Sequence, residues 1–410
     1  MKTDCLISGV LILMLLTPIA ATAQTAWSQK ADFGGGETYD PFSFVINDKA
    51  YVGTGRALPG INQVDFWEYD PATNIWSQKA DFIGSARYGA RGFGIGNFGY
   101  AGTGWDPTPT NTFYKYDPAL NVWTPAANFG GSARYTSVSA VVGGFGYLGL
   151  GYSPYKKDFW RYDPVLNSWA QIADYTGDAR QASVAFSVGT SIFVGLGSGS
   201  QGVFQDFYKY NTLTNFWSPI TPFPGAARAA AFAFEIGTDA YVGLGFDDQS
   251  SPSFDIFSDM YKYNSLTDTW IQLPDFPGGK LFGGAAFAIN NKGYVGMGSD
   301  TIFNTHYSDM LWEYDPALTA IAELNQNSIA IYPTLSNSSI CIEITDDINQ
   351  NCNVFVTLFD AGGKTCVSQV LDTRLSKNYI DLSGLPHGVY ICNVQVDNVL
   401  VRSSKIVRME

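Results

Sequence analysis

Cysteine is missing from Gln24 through Asn325, so no disulfide or thiolate metal site can brace that stretch. Histidine is almost missing as well. Only His306 and His387 occur, far apart in the chain, which leaves no multi-histidine metal centre; neither metal nor cofactor is expected. Charged residues make up only 15% of the chain, and the balance is a formal −13. Without clustered Lys and Arg it cannot neutralise many phosphates, which argues against nucleic acid or an anionic membrane surface as a partner. Long apolar runs are also lacking after residue 23, so no transmembrane span is expected in the mature chain. The one early run, Leu6 to Ile19, follows Lys2 and ends at the small residues Ala21-Thr22-Ala23, the pattern of a cleaved export signal over 1–23. Cys5 precedes that run instead of closing it, so lipid anchoring is not expected.

What is abundant is glycine and aromatic residues: 43 Gly, 24 Tyr, 28 Phe and 10 Trp, a composition of short strands and tight turns. They recur in order. An aromatic-x-Gly-x-Gly unit begins at Tyr51, Tyr100, Tyr147, Phe193, Tyr241 and Tyr294. An aromatic-charged-Tyr-Asp/Asn unit begins at Trp67, Tyr114, Trp160, Tyr208, Tyr261 and Trp312. A tryptophan follows at 76, 123, 169, 217 and 270, with a first copy at Trp27 and spacings of 49, 47, 46, 48 and 53. Asn47-Asp48, Gly143-Gly144, Asn290-Asn291 and their counterparts tolerate the positive φ of two-residue hairpins. Asp70-Pro-Ala-Thr-Asn74 and its copies form the next turn. Four short antiparallel strands per unit, six times over, predict an all-β propeller. The register also predicts its closure. The mature chain opens on the fourth-strand element Trp27 to Phe33, and the sixth unit lacks its own tryptophan after Tyr314, so the N-terminus supplies the last outer strand.

In its period, its Tyr-Asp-Pro-x-x-Asn-x-Trp run and its glycine strand, the segment 24–323 resembles the kelch-repeat family, with Gly-x-Gly where that family usually has adjacent glycines. The resemblance implies a six-bladed kelch β-propeller. After a linker at 324–330, residues 331–410 alternate like a small Ig-like β-sandwich. Ile331-Tyr-Pro333, Leu358-Phe-Asp-Ala-Gly-Gly-Lys364, Ile380-Asp-Leu-Ser-Gly-Leu385, Gly388-Val-Tyr390 and Lys405-Ile-Val407 resemble the C-terminal sorting domain of the type IX secretion system, with Thr334-Leu335 where Asn-Pro is usual. That resemblance implies the type IX machinery as a partner and a secreted or outer-membrane-surface destination. Cys341, Cys352, Cys366 and Cys392 crowd this segment, either as disulfides in one of three pairings or as buried strand residues.

Candidate chemistry is sparse. The tryptophans recur at one structural position and are expected in the core. Aromatics outside the repeat, between second and third strands, are better ligand candidates: Trp105, Tyr152, Tyr155, Phe204, Phe246 and Phe254. Asp247, Asp248 and Asp255 could hold calcium or simply solvate a long loop. Arg87, Arg134, Arg180 and Arg228 stand thirteen residues before the glycine-strand aromatic in four consecutive units, with Thr38 and Leu281 in the other two. Either they bond local carbonyls and the carboxylates of Asp65, Asp158 and Asp206, or they form a broken cationic ring beside the loop aromatics at one channel mouth. The expected role is a binding module for an extracellular glycan, peptide or surface protein, with an anionic ligand at that ring. The rival is an acidic-sugar isomerase, since some kelch-like propellers isomerise such sugars with Arg and carboxylates.

Overall fold

A computed structural model describes residues 26–247, 255–301, 305–318, 329–344, 353–396 and 399–409. The predicted export signal 1–23, Phe254, Asp248, Cys352 and most of the predicted linker lie outside the described residues. The chain forms two compact units, one over Ala26–Pro316 and one containing Ala317–Glu410.

The first unit is a ring of six four-stranded antiparallel sheets. Blade 1 runs from the axis outward as Phe42–Ile46, Lys49–Gly53, Phe66–Asp70 and Ile75–Gln78. Blades 2 to 5 repeat it over 91–125, 138–172, 184–220 and 232–273. Blade 6 takes Ala285–Ile289, Lys292–Ser299 and Tyr307–Tyr314 from the end of the propeller, and Trp27–Gln29 from its start. Trp27 pairs with Tyr314 and Gln29 with Trp312, so the closure read from the sequence is the one that forms. Each innermost strand packs on the next, and the sixth packs on the first.

The repeated residues lock blade to blade. Tyr69 donates its hydroxyl to Asn74 Oδ1 (2.8 Å), and Asn74 Oδ1 also accepts the backbone N–H of Ala31, just past the preceding outer strand (2.9 Å). Trp76 Nε1 donates to the Ala31 carbonyl at 3.1 Å. Blades 2 to 5 repeat this triad, for example Tyr116, Asn121 and Trp123 on Ala80. Each tryptophan therefore spends its polar edge on a neighbour and its rings on phenylalanines, as Trp123 does on Phe82 (5.1 Å). Trp27, Trp123 and Trp217 are buried core residues, and Trp76, Trp169 and Trp270 are partly buried against the same clusters.

The two glycines of the second strand have separate reasons. A Cβ at Gly53, Gly102 or Gly149 would run into the third strand of its own blade, at Phe66, Phe113 and Phe159. The second glycine has a left-handed φ, near 100° at Gly55, Gly104 and Gly151, and its N–H bonds the next blade at 2.8 Å. The first glycine thus answers to crowding inside its own blade and the second to backbone conformation.

The second unit stacks a three-stranded sheet, in the order Ile329–Tyr332, Ser339–Ile344, Lys377–Asp381, on a five-stranded one. Ile340, Ile342, Val356, Leu358, Val394 and Ile406 fill its core. Cys341 and Cys392 are buried free thiols and Cys366 is a partly buried one. Burial pushes the Cys392 thiol up to about 12.

Candidate functional site

Where the chain crosses from one blade to the next, it bridges the loop that leaves the second strand. Tyr39 bridges Arg56, Tyr88 bridges Trp105, Tyr135 bridges Tyr152, Ala229 bridges Phe246, and Phe282 bridges Ser299. Crossovers and loops thus share one face. On that face the axis is encircled by six backbone hydrogen bonds. Gly89 N–H donates to Asp40, Thr136 to Gly89, Ala182 to Thr136, Ala230 to Ala182, Gly283 to Ala230 and Asp40 to Gly283, at 2.7–3.0 Å. All six residues have positive φ, from 49° at Asp40 to 66° at Gly89, which turns each N–H toward the preceding blade.

The arginines do not form a cationic ring. Arg134, Arg180 and Arg228 are 0% exposed and Arg87 is 1%. Each donates Nε to the carbonyl two residues back and Nη1 to a carbonyl sixteen residues on, Thr103, Leu150, Leu196 or Leu244. Three also form two-pronged pairs: Arg134 with Asp158, Arg180 with Asp206 and Arg228 with Asp259. Arg87 finds Thr112 Oγ1 instead (3.0 Å). Burial raises the Asp158 carboxyl, and the Arg134 fork outweighs it, leaving it below its ordinary range. These guanidiniums are consumed inside the blades and cannot touch a ligand. Asp65, unlike Asp158 and Asp206, pairs with no arginine. It sits in blade 1, which has Thr38 at the arginine position, and accepts from Trp67 Nε1 at 2.8 Å. Its carboxyl is raised, because burial is not met by a cation.

The loop aromatics do gather on the face. Trp105 packs edge-on to Tyr135 (5.2 Å), Tyr135 to Tyr152 (5.7 Å) and Tyr152 to Tyr155 (4.8 Å). Phe246 lies on Phe282 (4.8 Å), and Phe204 covers Arg180 at 3.8 Å, a packing role. The sequence reading missed what joins these groups. Tyr39 stacks on Tyr307 (5.6 Å) and meets Phe282, while Tyr88 meets Tyr135 (6.0 Å). Arg56 lies over Tyr88 at 5.4 Å, and its Nε has no partner. No carboxylate pairs with Arg56 among the described residues, and none of the phenols of Tyr39, Tyr88, Tyr135 and Tyr307 has a hydrogen-bond partner there. Burial holds all four phenols above their ordinary value, with Tyr135 pushed up to about 12, and Arg56 pulls Tyr88 and Tyr307 partly back. One signal was available: Tyr39, Tyr88 and Tyr135 each follow the arginine position directly.

Just inside the backbone ring, Arg91 links its own blade to both of its neighbours. It donates to Ser137 O (2.6 Å) and pairs with Asp40 Oδ1 (2.9 Å). Beyond it the inner strands enclose a cavity of about 370 Å³. No cluster of three or more His, Cys, Asp and Glu could hold a metal among the described residues; Asp248 of the calcium candidate lies outside them.

The family described as N-acetylneuraminate epimerase matches residues 177–317, from the crossover into blade 4 to the end of blade 6. The family described as secretion system C-terminal sorting domain matches residues 330–408, and such a domain sends its carrier through the type IX system to the cell surface or the medium. Among similar solved structures is one titled "Structure of YjhT", 14% identical with a TM-score of 0.58, covering 68% of this chain and 95% of that one. No curated protein matches.

Proposed function

Since the chain is a kelch-type propeller carrying a type IX sorting domain, we propose that it is an exported binding module whose tyrosine-lined mouth takes an acidic sugar of the sialic acid type. The observation that carries this reading is Arg56, a guanidinium without a carboxylate beside phenols without partners. A guanidinium fork suits a ligand carboxylate, and phenol hydroxyls can serve both acceptors and donors of a polyol. Trp105 and Tyr135 offer aromatic faces on the same mouth for the apolar side of a sugar ring. The blades that match the epimerase family form the rest of the ring, and the family's name points to the same ligand class.

Titration calorimetry of the mature protein with N-acetylneuraminate and with its neutral methyl ester tests the proposal. Binding of the acid, weakened by salt and weaker by tenfold or more for the ester, is expected. Equal affinity for both, or no heat from the acid, rejects it.

Epimerisation of that sugar is the second reading, and the family match over residues 177–317 is what favours it. NMR of an incubated single anomer or epimer would show faster interconversion than buffer alone. An unchanged spectrum leaves the binding module.

A further inference from the structure

The cavity on the far side of Arg91 has its own chemistry. Its walls carry small side chains, and its polar ones have mostly spent their hydrogens. Ser43 Oγ donates to the Ala286 carbonyl (3.4 Å), Ser139 Oγ to Gly92 (2.9 Å) and Ser183 Oγ to Leu196 (3.1 Å). Those bonds tie one strand to another and leave lone pairs as the serines' remaining capacity. Ser187 Oγ, the fourth, lies 3.5 Å from Glu235 Oε1. Glu235 stands one residue from the end of its inner strand, toward the mouth opposite the tyrosines, and has no cationic partner among the described residues. The innermost backbone edges offer donors and acceptors alike, so the side chains set the bias. Arg91 is neutralised by Asp40, and the cavity is left with one unpaired carboxylate and acceptor oxygens.

We propose that the central channel is a second binding site, independent of the tyrosine-lined mouth, for a small protonated amine held by Glu235 and Ser187. An ammonium group brings three donors to the serine and carboxylate oxygens and the charge that Glu235 is without. The volume of about 370 Å³ is that of a small-molecule pocket. Ala233, Ala288, Val45 and Val141 offer apolar wall to the carbon skeleton.

Geometry makes the site pH-dependent in a definite direction. Burial pushes the Glu235 carboxyl up to about 7, and the Ser187 hydroxyl pulls the other way. The groups facing the inner wall from the other blades are Val45, Gly94, Val141, Ser187 and Ala288; none is charged, and Arg91 lies at the opposite end of its strand. The amine needs the carboxylate, so its binding must strengthen as pH rises through 7 and must release a proton below it.

The test is calorimetric titration of the mature protein with n-butylammonium, and with n-butanol as the neutral counterpart. Affinity for the amine should rise about tenfold between pH 6 and pH 8, as ionisation of a group at 7 requires. Glu235→Gln should lose at least tenfold at pH 8, Ser187→Ala less, and Arg56→Ala nothing. The wild-type pH profile stands even if a variant fails to fold. Equal binding of n-butanol, a flat pH profile, or no amine binding at pH 8 overturns the proposal.

Discussion

Blades 2 to 5 bury an arginine where the chain crosses in from the preceding blade, whereas blades 1 and 6 bury Thr38 and Leu281 at the same position. The partner position changes in step. It is Asp158, Asp206 and Asp259 in blades 3 to 5, Thr112 in blade 2, Asp65 in blade 1 and Met310 in blade 6. The backbone does not change. Gly245 N–H reaches the Leu281 carbonyl and Gly298 N–H the Thr38 carbonyl at 2.8 Å, the distance from Gly104 to Arg134. Six blades therefore need this backbone contact, and four of them fill the space beside it with a guanidinium. A buried ion pair can be exchanged as a unit for an apolar pair, but not by halves. Repetition here marks scaffold. Groups that differ from blade to blade, such as Arg56 and Glu235, are the ones we propose for ligands.

The largest effect should come from the blade that borrows a strand. Deleting Gln24 to Phe33 removes Trp27, which packs on Phe276 (5.1 Å) and Tyr314 (4.9 Å), and bares the edge of Tyr307–Tyr314. A loss of about 4 kcal/mol in urea unfolding, with aggregation, is expected. A shortened protein that melts with the full one and stays monomeric would show that blade 6 closes without it. Next is the ion pair itself. Arg134→Ala strands the Asp158 carboxylate and should cost about 3–5 kcal/mol. Arg134→Leu with Asp158→Met copies blade 6 and should cost under about half of that. If the double variant is the worse of the two, blades 3 and 6 are not equivalent.

Glu235 sharpens the contrast from the other side, as a charge without a partner. Its carboxyl is raised by burial from an unfolded value near 4.5 to about 7, so the folded state binds more protons across that window. Stability from this group is full below the unfolded value and declines as pH rises to about 7, by up to about 3 kcal/mol, less where channel water screens the charge. Glu235→Gln should leave melting at pH 5 unchanged and raise it at pH 8. Parallel melting curves at both pH values would contradict the assignment.

The fold was legible because its signals repeat. Six tryptophans, six glycine strands and an N-terminus that starts in mid-blade fix both blade number and closure. The arginines were legible as a set but not in their surroundings. Their direction depends on Thr103, Leu150, Leu196 and Leu244 taking φ near 57°, which brings their carbonyls to the guanidiniums, and nothing in those residue types demands it. Asp65 looked like Asp158 in sequence, and only the crossing chain shows that its blade has no arginine. Arg56 and Glu235 occur once each, so no repeat marks them. Trp105, Tyr152, Tyr155 and Phe246 stand out in the sequence because they break the pattern, and they lie on the shared face.

Buried arginines build the propeller, and Arg56 is the group we propose meets the ligand. Calorimetric titration with N-acetylneuraminate, run beside thermal melting for Arg56→Ala and wild type, tests it most directly. Stability within about 0.5 kcal/mol of wild type is expected, as for a side chain that supports no core contact, with acid binding at least tenfold weaker. An Arg56→Ala protein that binds the acid as wild type does, or that unfolds, would contradict it.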